Sequence, residues 1–380
     1  MKIVIHNNST GIGHQILDAW QAYRQSTLDN YSNDCEYIFD QVEKVKEYDL
    51  SIYCDYMPRH LSSDILKNYD LVLICNGGEP LEVASPFIKQ LLEHNHVYFI
   101  TNAWLDDQHP LKQKNIWFPH NVQTCRDYWT RHFYPQYFEN QNFEKLPRND
   151  SIIWISGDNR PNRQCFVDTL VSTVPDFPMH SKINVDIRQE LKACQWETAE
   201  DVEFRFWCNS QYKVCRSVNS SENYYNNSVT VGIQDRFGSI PPGYFILPLY
   251  FENSCVVFPE TSWINNEMCI TEKAIKCFYS GSLPMPVSGA NVNKFYNQIG
   301  FYTAWNLLPP EHQEFDQILD HRVRYEKLAD SIKWLQDNKH VFRSRLFEEL
   351  TQKNKINFLT CECDSMSIKW FDQILSKYIS

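Results

Sequence analysis

The stretch Ile270–Gly289, ITEKAIKCFYSGSLPMPVSG, decides the fold. Thr271 is an N-cap residue type, Ile275, Phe278 and Tyr279 recur at helical spacing, and Gly281 supplies a stop, so the spacing predicts a helix over Thr271–Ser280. Beyond Gly281 the chain reads as a short strand, which Pro284 and Pro286 confine to a sheet edge. Before the helix, Cys255-Val256-Val257-Phe258 is another β-rich run. Strand, helix, strand is the repeating unit of a parallel sheet. One residue does not fit. Lys273 lies in the first helical turn, where Glu272 complements the macrodipole and a lysine opposes it at a cost of up to about 1 kcal/mol. An anion at the free N–H groups of that turn removes the cost and recruits the lysine. An ammonium bent back into water is the plain alternative.

The same alternation fills the first third of the chain. Lys2–Asn7 reads as a strand and His14–Arg24 as a helix with Ile16, Leu17, Trp20 and Tyr23 on one face. Strands follow at Leu50–Cys54, Leu71–Cys75 and His96–Thr101, with helical stretches near Ser62–Lys67 and Pro86–His94. Gln108–Asp150 is a looser, aromatic connector. Ile152-Ile153-Trp154-Ile155, a turn and a helix from Asn162 to about Val171 open a new series, which sets a boundary near residue 150. Gln195–Asn227 reads as an irregular or mixed insertion. Helices are expected at Pro242–Asn253, Asn291–Ile299 and Asp320–Gln336, a short strand at Phe301–Ala304, and helices through the last forty or so residues. The expected organisation is an N-terminal Rossmann-like domain over 1–150, a second over 151–345, and terminal helices over 346–380 packing back on the first. The class is α/β.

Composition removes several classes. A chain of 380 residues with 43% hydrophobic and 14% aromatic content can build two substantial cores. A net charge of -11 with evenly scattered Lys and Arg weighs against a large nucleic-acid face. No run approaches the ~18 apolar residues of a membrane span, and Lys2–Ile5 passes straight into polar Asn7-Asn8-Ser9-Thr10, so a cytoplasmic protein without a signal peptide is expected. The thirteen cysteines are scattered without a Cys-x-x-Cys pair and read as buried free thiols; Cys361-Glu362-Cys363 lacks the companions of a zinc site.

Around the opening stretch the order of segments resembles a known family. Phe251–Ser254 (FENS), a β-rich run ending in Glu260–Ser262 (ETS), Thr271–Lys273 (TEK) with a helix after it, and Leu283–Gly289 (LPMPVSG) are similar to the donor-binding signature of the α-1,3-fucosyltransferases and their exostosin-like relatives. Glycosyltransferase-like proteins of phages and bacteria are similar through Phe295–Phe301, Phe315-Asp316 and Arg322 or Arg324. The match covers about 100 residues of the second half. A longer interval between FENS and TEK and an extra proline in the following strand leave the sugar open. The resemblance implies the GT-B architecture, two Rossmann-like domains facing a cleft, and transfer of a sugar from a nucleotide-diphosphate sugar to a glycan or other hydroxyl acceptor, with no metal and no cofactor. It implies that Glu272 binds ribose hydroxyls and Lys273 the diphosphate, with Glu260, Ser262 and Thr271 around them. It also implies an arginine at the start of the second domain, for which Arg163 is the better match and Arg160 the runner-up; an arginine fork suits phosphate.

Such a transfer needs a stabiliser for the departing diphosphate and a base for the acceptor hydroxyl. Candidates for the base on the first domain are Glu79, after the Asn76-Gly77-Gly78 turn, Asp106 and His14; loop carboxylates are more often simply solvated. Asn7–Gly13, NNSTGIG, is not GxGxxG and carries no dinucleotide fingerprint. Three alternatives stay open: a GT-A transferase using Asp106-Asp107 on a divalent ion, a non-catalytic carbohydrate-binding module of the same fold, and transfer to hydroxymethylated bases of phage-type DNA.

Overall fold

A computed structural model describes residues 2–7, 36–38, 44–56, 62–76, 93–107, 109–118, 122, 125, 148–156, 160–181, 190–193, 197–211, 248–265, 267–360 and 362–378. The chain forms two compact units, residues 1–120 with 362–380, and residues 121–361. Each is built on its own parallel sheet, so the expected α/β class with two Rossmann-like sheets is what the molecule has.

In the first unit the strands of the parallel sheet are β1 (Lys2–Asn7), β2 (Glu36–Ile38), β3 (Leu50–Tyr56), β4 (Leu71–Asn76), β5 (Val97–Thr101) and β6 (Asn115–Trp117). They lie in the order β2-β1-β3-β4-β5-β6, every neighbouring pair parallel. Ile3, Val4 and Ile5 are all buried, as are Leu71 to Cys75. This run of apolar residues without alternation is what a sheet covered on both faces requires. The short helix α1 (Ser63–Asn68) precedes β4, its first turn capped by the Ser62 hydroxyl. Ile3, Ile5, Ile52, Leu71, Leu73 and Ile100 pack with Ile368, Phe371, Ile374 and Leu375 of the last helix, Glu362–Leu375. At about 1.5–3 kcal/mol per fully buried large side chain, those four residues are a substantial part of what holds that helix to this sheet.

The second unit contains β7 (Asn149–Ser156), α2 (Pro161–Thr173), β8 (Met179–Ser181), α3 (Ala199–Gln211), α4 (Pro248–Glu252), β9 (Asn253–Pro259), α5 (Glu272–Ser280), β10 (Leu283–Val287), α6 (Val292–Gln298), α7 (His321–Asp337) and α8 (Arg345–Thr360). Its strand order is β10-β9-β7-β8, all parallel. The prolines of β10 sit at the sheet edge, where their missing N–H groups cost no ladder bond. Trp154 on β7, Phe166 on α2, Val257 on β9, Met285 on β10 and Tyr325 and Ile332 on α7 form one core.

Within Gln195–Asn227, expected to be irregular or mixed, Ala199–Gln211 is a helix: Thr198 accepts from the Asp201 amide at 3.2 Å while Asp201 accepts from the Thr198 amide at 2.9 Å, a reciprocal cap. Residues 212–227 lie outside the described residues. Phe301–Ala304 is not a strand, because Thr303 and Asn306 close a capping box over a short 3-10 turn at Ala304–Leu307. The expected helix at Pro242–Asn253 is observed only as α4, and Asn253 already belongs to β9; residues 242–247 lie outside the described residues, as do the expected helices at His14–Arg24 and over most of Pro86–His94.

Candidate anion site of the second unit

Both sheets have a point where the strand order reverses. In the second unit the chain starts at β7, steps to β8 on one side, then returns across to β9 and β10 on the other. The carboxyl ends of β7 and β9 therefore flank the crevice where open α/β sheets place ligands. Two helices begin beyond those ends, α2 after β7 and α5 after β9, and neither has a side-chain cap on its first turn.

At α5 the reason is visible. Thr271 occupies the N-cap position with the extended backbone expected there, φ -105° and ψ 171°, yet its hydroxyl makes no cap bond. It donates instead to Oε2 of Glu260 at 2.6 Å. Glu260 follows β9 directly and its own amide continues the ladder to Val287. The carboxylate is 1% exposed, and its other oxygen accepts from the Tyr296 hydroxyl at 2.7 Å. Burial raises the Glu260 pKa, against the pull of Lys273 and of the hydrogen bonds from Thr271 and Tyr296. Lys273 Nζ lies 3.5 Å from Thr271 Oγ1 and 3.5 Å from Glu272 Oε1, its side chain 14% exposed. The lysine that opposes the macrodipole thus lies back over the start of its own helix.

Burial raises the Glu272 pKa, but the charges of Lys273 and Lys276 and hydrogen bonds from its own backbone and from Lys273 together leave it lowered. Lys276, one turn on, is buried beside Glu272 and Cys125, and burial lowers its pKa. The C-terminal end of α5 is closed firmly. Gly281 takes φ +79°, and the Arg148 guanidinium donates to the carbonyls of Ser280, at 2.6 Å, and of Gly281. Cation at one end and open amides at the other leave the positive pole of the helix available.

The loop after β9 is rigid. Ser288 Oγ donates to Ser262 O at 2.8 Å, Ala290 N donates to Asn265 Oδ1 at 2.9 Å, and a Cβ at Gly289 would sit 2.1 Å from Ile264 O. Ser262 is itself 1% exposed. At α2, Arg160 is the N-cap residue and half-buried, its Nε without a hydrogen-bond partner among the described residues, and Pro161 starts the helix. Arg163 is 5% exposed, close enough to Tyr325 for its charge to be felt there.

The structure therefore gathers Glu260, Thr271, Glu272 and Lys273 around one helix start, sets Arg160 and Arg163 at the start of the helix after the adjacent strand, and sinks Ser262 into the loop packing. Of the residues proposed for the base, Glu79 and His14 lie outside the described residues. Asp106 is half-buried with its carbonyl accepting from the His109 amide, and Asp107 pairs with Lys112 at 3.6 Å. Among the described residues no group of three His, Cys, Asp or Glu side chains could hold a metal ion.

Three features escape the sequence reading. Tyr296 and Lys276 are brought to the site by packing, although Lys276 stands four residues after Glu272, a spacing that pairs charges on a helix. A third is a buried network. Arg324 donates to His321 Nδ1 at 2.5 Å, so the imidazole proton is on Nε2 and is donated to Asp201 at 2.6 Å. Arg324 also reaches Asn265 Oδ1 at 3.1 Å. Phe204 stacks on the imidazole at 4.3 Å. Burial, and then Arg324, lower the His321 pKa to about 4. This network sits under the loop after β9 and holds it. The cysteines expected to be buried are so at all eight described positions. No helix among the described residues is long and apolar enough to cross a membrane.

No protein-family model matches the chain, and no curated protein matches it. Among solved structures it is similar to the N-terminal domain of Candida albicans trehalose-6-phosphate phosphatase, at 8% identity and a TM-score of 0.45, covering 99% of this chain and 96% of that one. It is also similar to an α,α-trehalose-phosphate synthase (UDP-forming) from Burkholderia vietnamiensis, at 10% identity and 0.33, covering 97% and 80%. A UDP-GlcNAc 2-epimerase from Neisseria meningitidis bound to UDP-GlcNAc is similar at 9% identity and 0.33, covering 99% and 100%.

Proposed function

We propose that the protein is a glycosyltransferase that moves a sugar from a nucleotide-diphosphate sugar to a hydroxyl acceptor without a metal. One observation carries the reading: two uncapped helix starts, each with a basic side chain, at the carboxyl ends of adjacent strands where the second sheet reverses. A diphosphate offers two anionic groups to such a pair, and departing negative charge in glycosyl transfer is stabilised by fixed amides and cations as well as by a metal. In this reading Lys273, Arg160 and Arg163 bind the diphosphate, and the ionised Glu272 accepts from the ribose hydroxyls. The first unit carries the acceptor side and the base, with Asp106, Glu79 and His14 the candidates. The ordered FENS, ETS, TEK and LPMPVSG segments favour a fucosyltransferase-like enzyme.

The test is a thermal-shift panel of UDP, GDP, ADP, CMP and TDP on wild type and Lys273→Ala, followed by turnover of the matching nucleotide sugars with and without chelator. One nucleoside diphosphate is expected to raise the melting temperature of wild type and not of the variant. Equal stabilisation of both proteins would sink the donor-site assignment. Binding without turnover of any donor would leave a carbohydrate-binding module.

A further inference from the structure

We infer that Glu260 is a positioning residue: by taking the Thr271 hydroxyl, it keeps the first turn of α5 uncapped and open to an anion. A threonine in the N-cap position with extended backbone normally turns its oxygen onto the amide two or three residues ahead, here Lys273 or Ala274. That bond is absent. The hydroxyl proton goes to Glu260 Oε2, 2.6 Å away, and the remaining lone pairs face the Lys273 ammonium at 3.5 Å. Both Glu260 oxygens accept, one from Thr271 and one from Tyr296 at 2.7 Å, so the carboxylate is clamped between the loop after β9 and α6. At 1% exposure it does not meet a ligand itself. Its effect runs through Thr271, which it holds off the amides and fixes as a rest for the lysine.

A buried carboxylate is a costly way to hold a hydroxyl, since an apolar side chain would pack there without a desolvation penalty. What the carboxylate adds is a strong acceptor for the hydroxyl proton, and that bond fixes the threonine rotamer with its oxygen turned off the helix amides. The Lys273 and Ala274 amides then stay free to donate to a phosphate group. The inference rests on the nucleotide-sugar reading only for the identity of the ligand; the state of the helix start is measurable without one.

Two measurements test it. Amide exchange at Lys273 and Ala274, followed by NMR on the ligand-free protein, compares wild type with Glu260→Met, Glu260→Gln, Thr271→Val and the double variant E260M/T271V. E260M frees Thr271 to cap, so exchange at these amides should slow about tenfold. E260Q keeps an acceptor oxygen and should stay within about threefold of wild type. T271V should leave both amides as fast as in wild type, and E260M should then add nothing in the T271V background. Calorimetric titration with UDP, GDP and ADP should follow the same pattern, with about tenfold weaker binding in E260M, recovery in E260Q and no further loss in the double variant. A merely structural Glu260 would cost the same with or without the threonine hydroxyl, and that equality overturns the inference. If E260M does not fold, T271V alone decides: faster exchange at Lys273 or Ala274 on losing the hydroxyl would mean that Thr271 caps the helix after all. Wild type that binds none of the nucleotides but shows the expected exchange pattern overturns the ligand reading and leaves the positioning role standing.

Discussion

The two sheets share one topology and carry different chemistry at the same place. Each begins at an inner strand, places the second strand on one side and the third on the other, so each has a reversal point between its first and third strands. In the second unit two uncapped helix starts lie at that point, with half-buried Arg160 and Lys273 at their first turns and Arg163 buried in the first turn of α2. In the first, among the described residues, the strand ends carry His6, whose Nδ1 lies 2.7 Å from the Tyr69 hydroxyl, and Asp55, which accepts from the Tyr53 hydroxyl at 2.8 Å. The described side chains at the second unit's point are cationic. Those at the first are a buried cluster of aromatic rings and hydroxyls. A shared backbone plan thus decides where a ligand can sit, and the side chains beyond the strand ends decide which kind.

The difference can be broken most severely from beneath the second site. Asp201→Ala removes the acceptor that the His321 imidazole, the Asn265 amide and the Thr198 amide share. It leaves the Arg324 guanidinium buried with less compensation and should cost about 3–5 kcal/mol in urea unfolding. Amide exchange should rise in the second unit and not in the first. Acid should act on the same network. The folded pKa of His321 is lowered to about 4 from an ordinary 6.5, so the stability it contributes is fully present above pH 6.5 and is lost as the pH falls towards 4. The loss amounts to about 3 kcal/mol. The stability gap between wild type and His321→Gln, read by urea unfolding from pH 7.5 to 4.5, should narrow across that window; a constant gap would show that the imidazole is not held neutral.

Smaller effects separate the two reversal points. Lys273→Ala should weaken nucleoside diphosphate binding roughly 10- to 100-fold, the value of a hydrogen bond to a charged group, while the melting temperature of the free protein stays within a degree or two. At the other point, His6→Ala should leave nucleoside diphosphate affinity within about twofold by calorimetry. A loss there as large as that of Lys273→Ala would mean that the contrast between the two points has been drawn wrongly.

Much of this was legible in the sequence because it is local. The apolar runs of β1, β3, β4, β7 and β9, the prolines that put β10 at an edge, the Thr271–Ser280 helix and its Gly281 stop depend on residues a few positions apart. The oddity of Lys273 was equally local. The α3 helix was hidden because its Thr198–Asp201 cap uses aspartate where glutamate is the usual signature.

What sequence alone determined is the α/β alternation, the helix start with its misplaced lysine, and the candidates around it. Only the tertiary structure decided that the Thr271 hydroxyl turns away from its own helix. That choice depends on Glu260, eleven positions earlier, and on Tyr296 from α6, both brought within hydrogen-bond reach by the packing of β9, β10 and α6. Local propensity favours the cap. A buried carboxylate that needs donors takes the hydroxyl proton and turns the oxygen away from the amides, and no spacing along the chain records that restraint.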